Sequence, residues 1–147
     1  MSERTAIVTG AGIGLGRATA IALADAGYHV IVTDILDQEG ARVAAEISEK
    51  SRSAEYCRLD VTDTGAVNHL LADINSRFAT IDALVLNAGI ARTLPLSSLE
   101  DAQWDETMDV NLKGMMRVFR AALPGLRRAK EPAVVCISSI VGAVLGW

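Results

Sequence analysis

A chain of 147 residues, half of them hydrophobic and only 4% aromatic, has the apolar mass for one domain cored by Val, Ile, Leu and Ala, with no metal or disulfide required to hold it. Its net charge of −4, with no basic run longer than Arg127-Arg128, excludes a nucleic-acid-binding surface. Met1-Ser2-Glu3-Arg4 runs straight into a first strand, and the apolar stretch 133–147 is interrupted by Ser138-Ser139 and too short to span a bilayer, so the expectation is a cytoplasmic protein without a leader or membrane partner.

The β-branched run Ala6-Ile7-Val8 predicts a first strand, which stops at Thr9-Gly10-Ala11-Gly12-Ile13-Gly14-Leu15-Gly16, where four glycines alternate with other residues. Glycine takes φ > 0 and has no Cβ, so such a turn folds tightly and points amide N–H groups at a ligand, here a pyrophosphate, at the start of the next helix. Neither register of G-x-G-x-x-G fits; the spacing is T-G-x-x-x-G-x-G. An alanine-rich helix over 15–26 comes next, with Gly27 as its αL stop, and His29 to Asp34 returns as the second strand. Asp34 lies 18 positions beyond Gly16, near the separation at which a βαβ unit sets a carboxylate against an adenosine ribose. A carboxylate there accepts both ribose hydroxyls and repels a 2′-phosphate, which predicts NAD rather than NADP.

A helix from Asp37 to Lys50, a third strand over 54–59, and a helix capped by Thr62 come next; Val67, Leu70, Leu71, Ile74 and Phe78 hold the 3-4 spacing of its core face. The fourth strand, Ile81 to Leu86, lacks polar alternation, as a strand covered on both faces should. Ser98-Leu99-Glu100-Asp101 resembles a capping box before a long helix carrying Trp104, Met108, Met115 and Phe119, with Pro124 breaking or restarting it. Ala133 to Ile137 is the fifth strand. Repeated strand-helix-strand units mean right-handed crossovers and a doubly wound, Rossmann-like parallel α/β sheet of order 3-2-1-4-5, with one domain over 1–147. Ligands in such sheets sit beyond the carboxyl ends of the strands, where all the unusual residue groups fall.

Several of those residues admit two readings. Asp60 accepts from an adenine amino group while the Val61 amide donates to the ring, or Asp60 caps a helix with Thr62. Asn87-Ala88-Gly89 binds ribose or braces the sheet. Asn111, spaced helically between Met108 and Met115, is placed in a buried stripe, where an unpaired amide would cost about 1–3 kcal/mol; it bonds nearby backbone or holds a water in a proton relay. Ser138 and Ser139 end the fifth strand, where a neutral hydroxyl suits a carbonyl oxygen that gains charge. Cys57 and Cys136 fall in separate strands without metal-ligand spacing and are expected as buried, reduced core residues; no metal site is expected, and His29 and His69 have no ligand-forming neighbours.

Taken together, Thr9 to Gly16, Asp60-Val61, Asn87-Ala88-Gly89, Asn111-Leu112-Lys113-Gly114 and Ile137-Ser138-Ser139-Ile140-Val141-Gly142 resemble the classical short-chain dehydrogenase/reductase family over essentially the whole chain. The resemblance implies reversible oxidation of a secondary alcohol with a nicotinamide cofactor, which Asp34 predicts to be NAD. It places Gly10, Gly12, Ile13, Gly14, Leu15, Asp34, Asp60, Val61, Asn87, Ala88 and Gly89 on the cofactor, Ser139 on the substrate oxygen, and Asn111 in the proton relay. It also implies a Tyr-x-x-x-Lys acid/base pair after the serine, which neither Tyr28 nor Tyr56 supplies. The expectation is therefore the N-terminal portion of a longer oxidoreductase, or a chain whose sheet a separate chain completes; the alternative is an inert dinucleotide-binding module. Family pairing through the helix carrying Met115, Met116 and Phe119 implies a homo-oligomer, although core packing accounts for those residues equally. Residues 92–97, with Leu94-Pro95-Leu96, are expected to line part of a partly apolar substrate pocket.

Overall fold

The computed structural model describes residues 4–50, 52–91 and 95–139. Strand β1 (Arg4–Thr9) is buried from Thr5 onward because β2 (Tyr28–Asp34) and β4 (Ala83–Leu86) pair with it on either side. With β3 (Ala54–Arg58) beyond β2 and β5 (Ala133–Cys136) beyond β4, the sheet is parallel throughout and ordered β3-β2-β1-β4-β5, as expected.

Strand periodicity of two sorts the core into two layers. Ala6, Val8, Val30, Val32 and Val85 face α1 (Gly14–Asp25) and α2 (Asp37–Glu49), packing on Ala20, Ala24, Val43 and Ile47. Ile7, Ile31, Leu84 and Leu86 face α3 (Thr64–Arg77) and α5 (Met115–Arg128), packing on Val67, Leu71, Ile74, Val118 and Leu126. Full burial of one such aliphatic side chain contributes about 1.5–3 kcal/mol. The central strands β2, β1 and β4 are thus covered on both faces, and the strands' carboxyl ends open on one side. The small Ala20 and Ala24 set α1 close to the sheet, and Gly27, at φ +83°, stops it as expected.

Local details depart from the sequence reading. Asp63, not Thr62, caps α3, its carboxylate accepting from the Ala66 amide, while Thr62 is taken up by Asp60. The capping box before α4 (Asp101–Met108) joins Glu100 to Gln103 rather than starting at Ser98, which lies in a single 3-10 turn, Leu96–Ser98. The long helix expected after it is interrupted by a π-helical turn, Asp109–Gly114, and Pro124 sits inside an unbroken α5. Pro124 is exposed, so the carbonyl it frees one turn back is solvated.

The buried stripe predicted through Met108 and Asn111 is not buried. Trp104, Met108, Leu112, Met116 and Phe119 are 37–65% exposed, Asn111 is half-buried, and Met115 alone of that set packs partly on the core. Cys136 is exposed and Cys57 half-buried, because among the described residues β5 and β3, which carry them, are the two edge strands of the sheet. The stretches 92–94 and 140–147, including the first half of the 92–97 pocket expectation and the Ile140-Val141-Gly142 end of the serine motif, lie outside the described residues.

Candidate functional site

The glycine turn leaves β1 through Thr9, whose hydroxyl ties the two central strands together. It accepts from the Asn87 and Ala88 amides at 2.9 and 3.0 Å and lies 3.4 Å from the Val85 carbonyl, so β1 and β4 are locked where both end. The Asn87 side chain donates to the Thr9 and Gly10 carbonyls, both at 2.9 Å. Of its two readings, bracing is the one this geometry satisfies. Gly10 has φ +63°, and a Cβ on Gly16 would stand 2.1 Å from the Gly10 carbonyl oxygen, so the close approach of turn and helix depends on there being none.

Asp34 ends β2 nearly buried, at 6% exposure. One carboxylate oxygen accepts from the Gly12 amide at 2.7 Å and the other from the Leu36 amide at 2.9 Å. Two backbone donors thereby orient the acid across the mouth of the turn. A cavity of about 460 Å³ opens there, lined by Gly10, Ile13, Gly14, Leu15, Asp34, Asp60, Val61, Asn87, Ala88 and Gly89, together with Ile35, Leu36, Leu59, Ile90 and Val110. Ten of the eleven residues placed on a cofactor by the sequence therefore line one cavity, and Gly12, the eleventh, holds its acid. Asp60 lines it while one carboxylate oxygen accepts from the Thr62 amide and hydroxyl, so the turn-capping role is filled and the cavity position is kept.

A second cavity, about 620 Å³, shares Asn87, Ala88 and Gly89 with the first and continues past Asn111, Leu112, Met115, Met116 and Phe119 to Cys136, Ile137, Ser138 and Ser139. Ser139 and Asn111 are thus brought to one space. The Asn111 amide closes on backbone: its oxygen accepts from the Ile90 amide and its nitrogen donates to the Ile90 carbonyl, both at 2.8 Å. Tyr56 lies elsewhere, with its hydroxyl 2.8 Å from the Asp37 carboxylate and 3.0 Å from the Asp34 carbonyl. Burial, and then the bond to Asp37, push its phenol far above the usual range, so it is a donor and not a base.

Two residues were not singled out from the sequence as site residues in their own right. Thr9 opened the glycine motif, and the hydroxyl at the end of a buried strand was the available signal. Arg117 is only 6% exposed and reaches the Val61 carbonyl, Thr64 and Asp109. It stands among the core positions Gly114, Val118 and Ala122 of its helix, a cation on an apolar face. Its bond to Asp109 holds that carboxyl below its ordinary range.

A family profile described as short chain dehydrogenase matches residues 4–146. A 3-oxoacyl-[acyl-carrier-protein] reductase, FabG, of Staphylococcus aureus is 37% identical over 142 residues, covering 96% of this chain and 58% of the relative. A cis-4-hydroxycyclohexanecarboxylate dehydrogenase of Sinomonas cyclohexanicum is 39% identical over 145 residues, covering 97% and 57%. Among solved structures, gox2181 superposes with a TM-score of 0.92 at 28% identity, over 99% of this chain and 57% of that one. A citronellol catabolism dehydrogenase (AtuB) of Pseudomonas aeruginosa PAO1 gives 0.81 at 32% identity, over 89% and 54%. The chain therefore spans less than three fifths of the length of these relatives.

Proposed function

Since this chain belongs to the short chain dehydrogenase family, we propose that it forms the NAD-binding part of an oxidoreductase that interconverts a secondary alcohol and a ketone. The observation that carries the reading is Asp34: a carboxylate fixed by the Gly12 and Leu36 amides, beside a glycine turn, in the wall of a cavity of about 460 Å³. The residues fit such a cofactor. The turn takes the pyrophosphate at the start of α1, where amides and the helix dipole favour an anion. Asp34 takes the adenosine ribose, and Asp60 and Val61 meet the adenine. Among the described residues the cavity lining holds two carboxylates and no cation, and Arg17 and Arg58 are committed to Glu46 and Asp37. A 2′-phosphate would meet Asp34 unpaired, which supports NAD over NADP.

Asn87, Ala88 and Gly89, shared by both cavities, would hold the nicotinamide end of the cofactor, whose chemistry is hydride transfer. Ser139 donates its hydroxyl to the substrate oxygen as charge gathers on it. Asn111 lines the second cavity and holds the Ile90 backbone in the wall of the first, and it stands at the entry of a proton relay. A general acid/base is still required. The sequence has two tyrosines, Tyr28 and Tyr56, and neither lines the second cavity, so the reading assigns that role to a Tyr-x-x-x-Lys pair outside these 147 residues. This same observation favours the second reading, a dinucleotide-binding module without catalysis, for the 147 residues taken alone.

Isothermal titration with NAD and NADP tests the binding half, and tighter NADP binding refutes the assignment of Asp34. Hydride transfer from a panel of secondary alcohols, followed at the NADH absorbance, tests the other: turnover by the 147-residue chain defeats the inert reading. The exposed stripe Trp104, Met108, Leu112, Met116 and Phe119 supports a homo-oligomer as the working form.

A further inference from the structure

Arg117 has no part in hydride transfer, yet it is the most deeply buried cation among the described residues. Its guanidinium is used on three sides. Nε donates to the Thr64 hydroxyl at 3.0 Å, at the start of α3. Nη1 lies 3.4 Å from the Val61 carbonyl and 3.3 Å from the Asp109 carbonyl, and Nη2 donates to the Asp109 carboxylate at 2.8 Å. Val61 lines the first cavity, and Asp109 opens the π-helical turn that carries Val110 in the wall of that same cavity and Asn111 in the wall of the second.

We propose that Arg117 is a positioning residue that couples Val61, in the wall of the nucleotide cavity, to the Asn111–Ile90 clasp. The proposal rests on the dinucleotide reading of the cavity. A planar guanidinium binds in fixed directions, so it transmits a shift of the Val61 carbonyl to Asp109 where a flexible ammonium would absorb it. The π turn has little slack of its own. A Cβ on Gly114 would stand 2.7 Å from Val61 Cγ2, so turn and loop are already in hard contact beside the arginine. From Asp109 the turn runs directly to Asn111, whose amide grips Ile90 by both its N–H and its carbonyl. Adenosine seated on Val61 would therefore tighten the clasp from its Asn111 side, through Arg117, in addition to any contact with Ile90 in the wall of the same cavity.

The probe is 5′-AMP, which fills only the adenosine end, and the readout is hydrogen exchange at the Ile90 amide of the 147-residue chain, with AMP affinity measured in parallel. In the wild type, saturating AMP slows Ile90 exchange about tenfold or more, since the ligand stabilises the closed form over the open one. In Arg117→Lys, AMP still binds but the gain at Ile90 is lost. Asp109→Asn keeps the arginine on Thr64 and Val61 and weakens only the link to the turn; it loses most of the gain and guards against Arg117→Lys failing to fold. A purely structural arginine would instead raise exchange across α3 and α5 without ligand and leave the AMP-induced gain intact. That result, or a wild type that binds AMP with Ile90 unchanged, overturns the coupling. Failure of the wild type to bind AMP at all shows instead in the affinity measurement, and it overturns the nucleotide reading and the coupling with it.

Discussion

Asp34 serves the fold and the ligand with the same carboxylate. Its two oxygens hold the Gly12 and Leu36 amides, so Asp34→Ala leaves two backbone donors, that of Gly12 buried, without their acceptor and removes the charge that opposes a 2′-phosphate. Charged hydrogen bonds of this kind are worth about 1.5–3 kcal/mol. The NAD to NADP affinity ratio, measured by titration, is therefore expected to fall about tenfold to hundredfold in the variant; an unchanged ratio would mean that selection lies elsewhere. The two cysteines separate in a comparable way. Cys136 is exposed on the edge strand, whereas Cys57 is half-buried and burial raises its thiol above the ordinary range, leaving it less of the reactive thiolate. Brief treatment with iodoacetamide should modify Cys136 first, as peptide mass spectrometry reads. The sequence placed both in the core because an apolar strand looks the same at the centre of a sheet and at its edge.

At the scale of elements, the strands and their order were legible because burial on both faces leaves continuous apolar runs, and crossover rules leave few ways to arrange them. Caps were less legible, since Thr62 and Asp63 are both good N-cap residues and only the direction of the chain entering α3 decides between them. Asp63→Ala should cost about 1 kcal/mol of stability, seen as a lower urea midpoint with an unchanged slope, while Thr62→Ala should cost less. The π turn was illegible because Asp109 to Gly114 has the composition of any helix surface, and the contacts of Arg117 with Asp109 and Val61 that accompany it exist only in the folded chain. That contact carries a pH signature. Arg117 holds the Asp109 carboxyl below its ordinary value of 3.8, so the pair's contribution is present above that value and is lost as pH falls through the lowered one. The stability difference between wild type and Asp109→Asn should hold above pH 3.8 and shrink as pH falls below it, measured as thermal midpoints on both sides of that value. A constant difference would mean that the carboxylate's charge contributes nothing to the turn.

Across the whole molecule, the two open apolar surfaces differ in what they can explain. Leu112, Met116 and Phe119 border the second cavity with Cys136 and Ile137, so their exposure is accounted for by a site that takes a substrate. Trp104 and Met108 border neither the nucleotide cavity nor the substrate cavity, yet they continue the same stripe at 52% and 37% exposure, two turns and one turn before Leu112, in α4. A contiguous apolar face larger than a substrate needs is the mark of protein contact. Sedimentation velocity should therefore give a mass that rises with concentration above that of one chain. Trp104→Glu combined with Met108→Glu should bring it back to the monomer, because two carboxylates facing their own copies across a two-fold contact repel and would be desolvated there. Since neither position touches the cavities, NAD affinity should stay within about threefold of wild type. If the double variant keeps the associated mass, the contact is made by another surface, and the edge strand β5, with Val134 and Val135 exposed, becomes the surface to alter next.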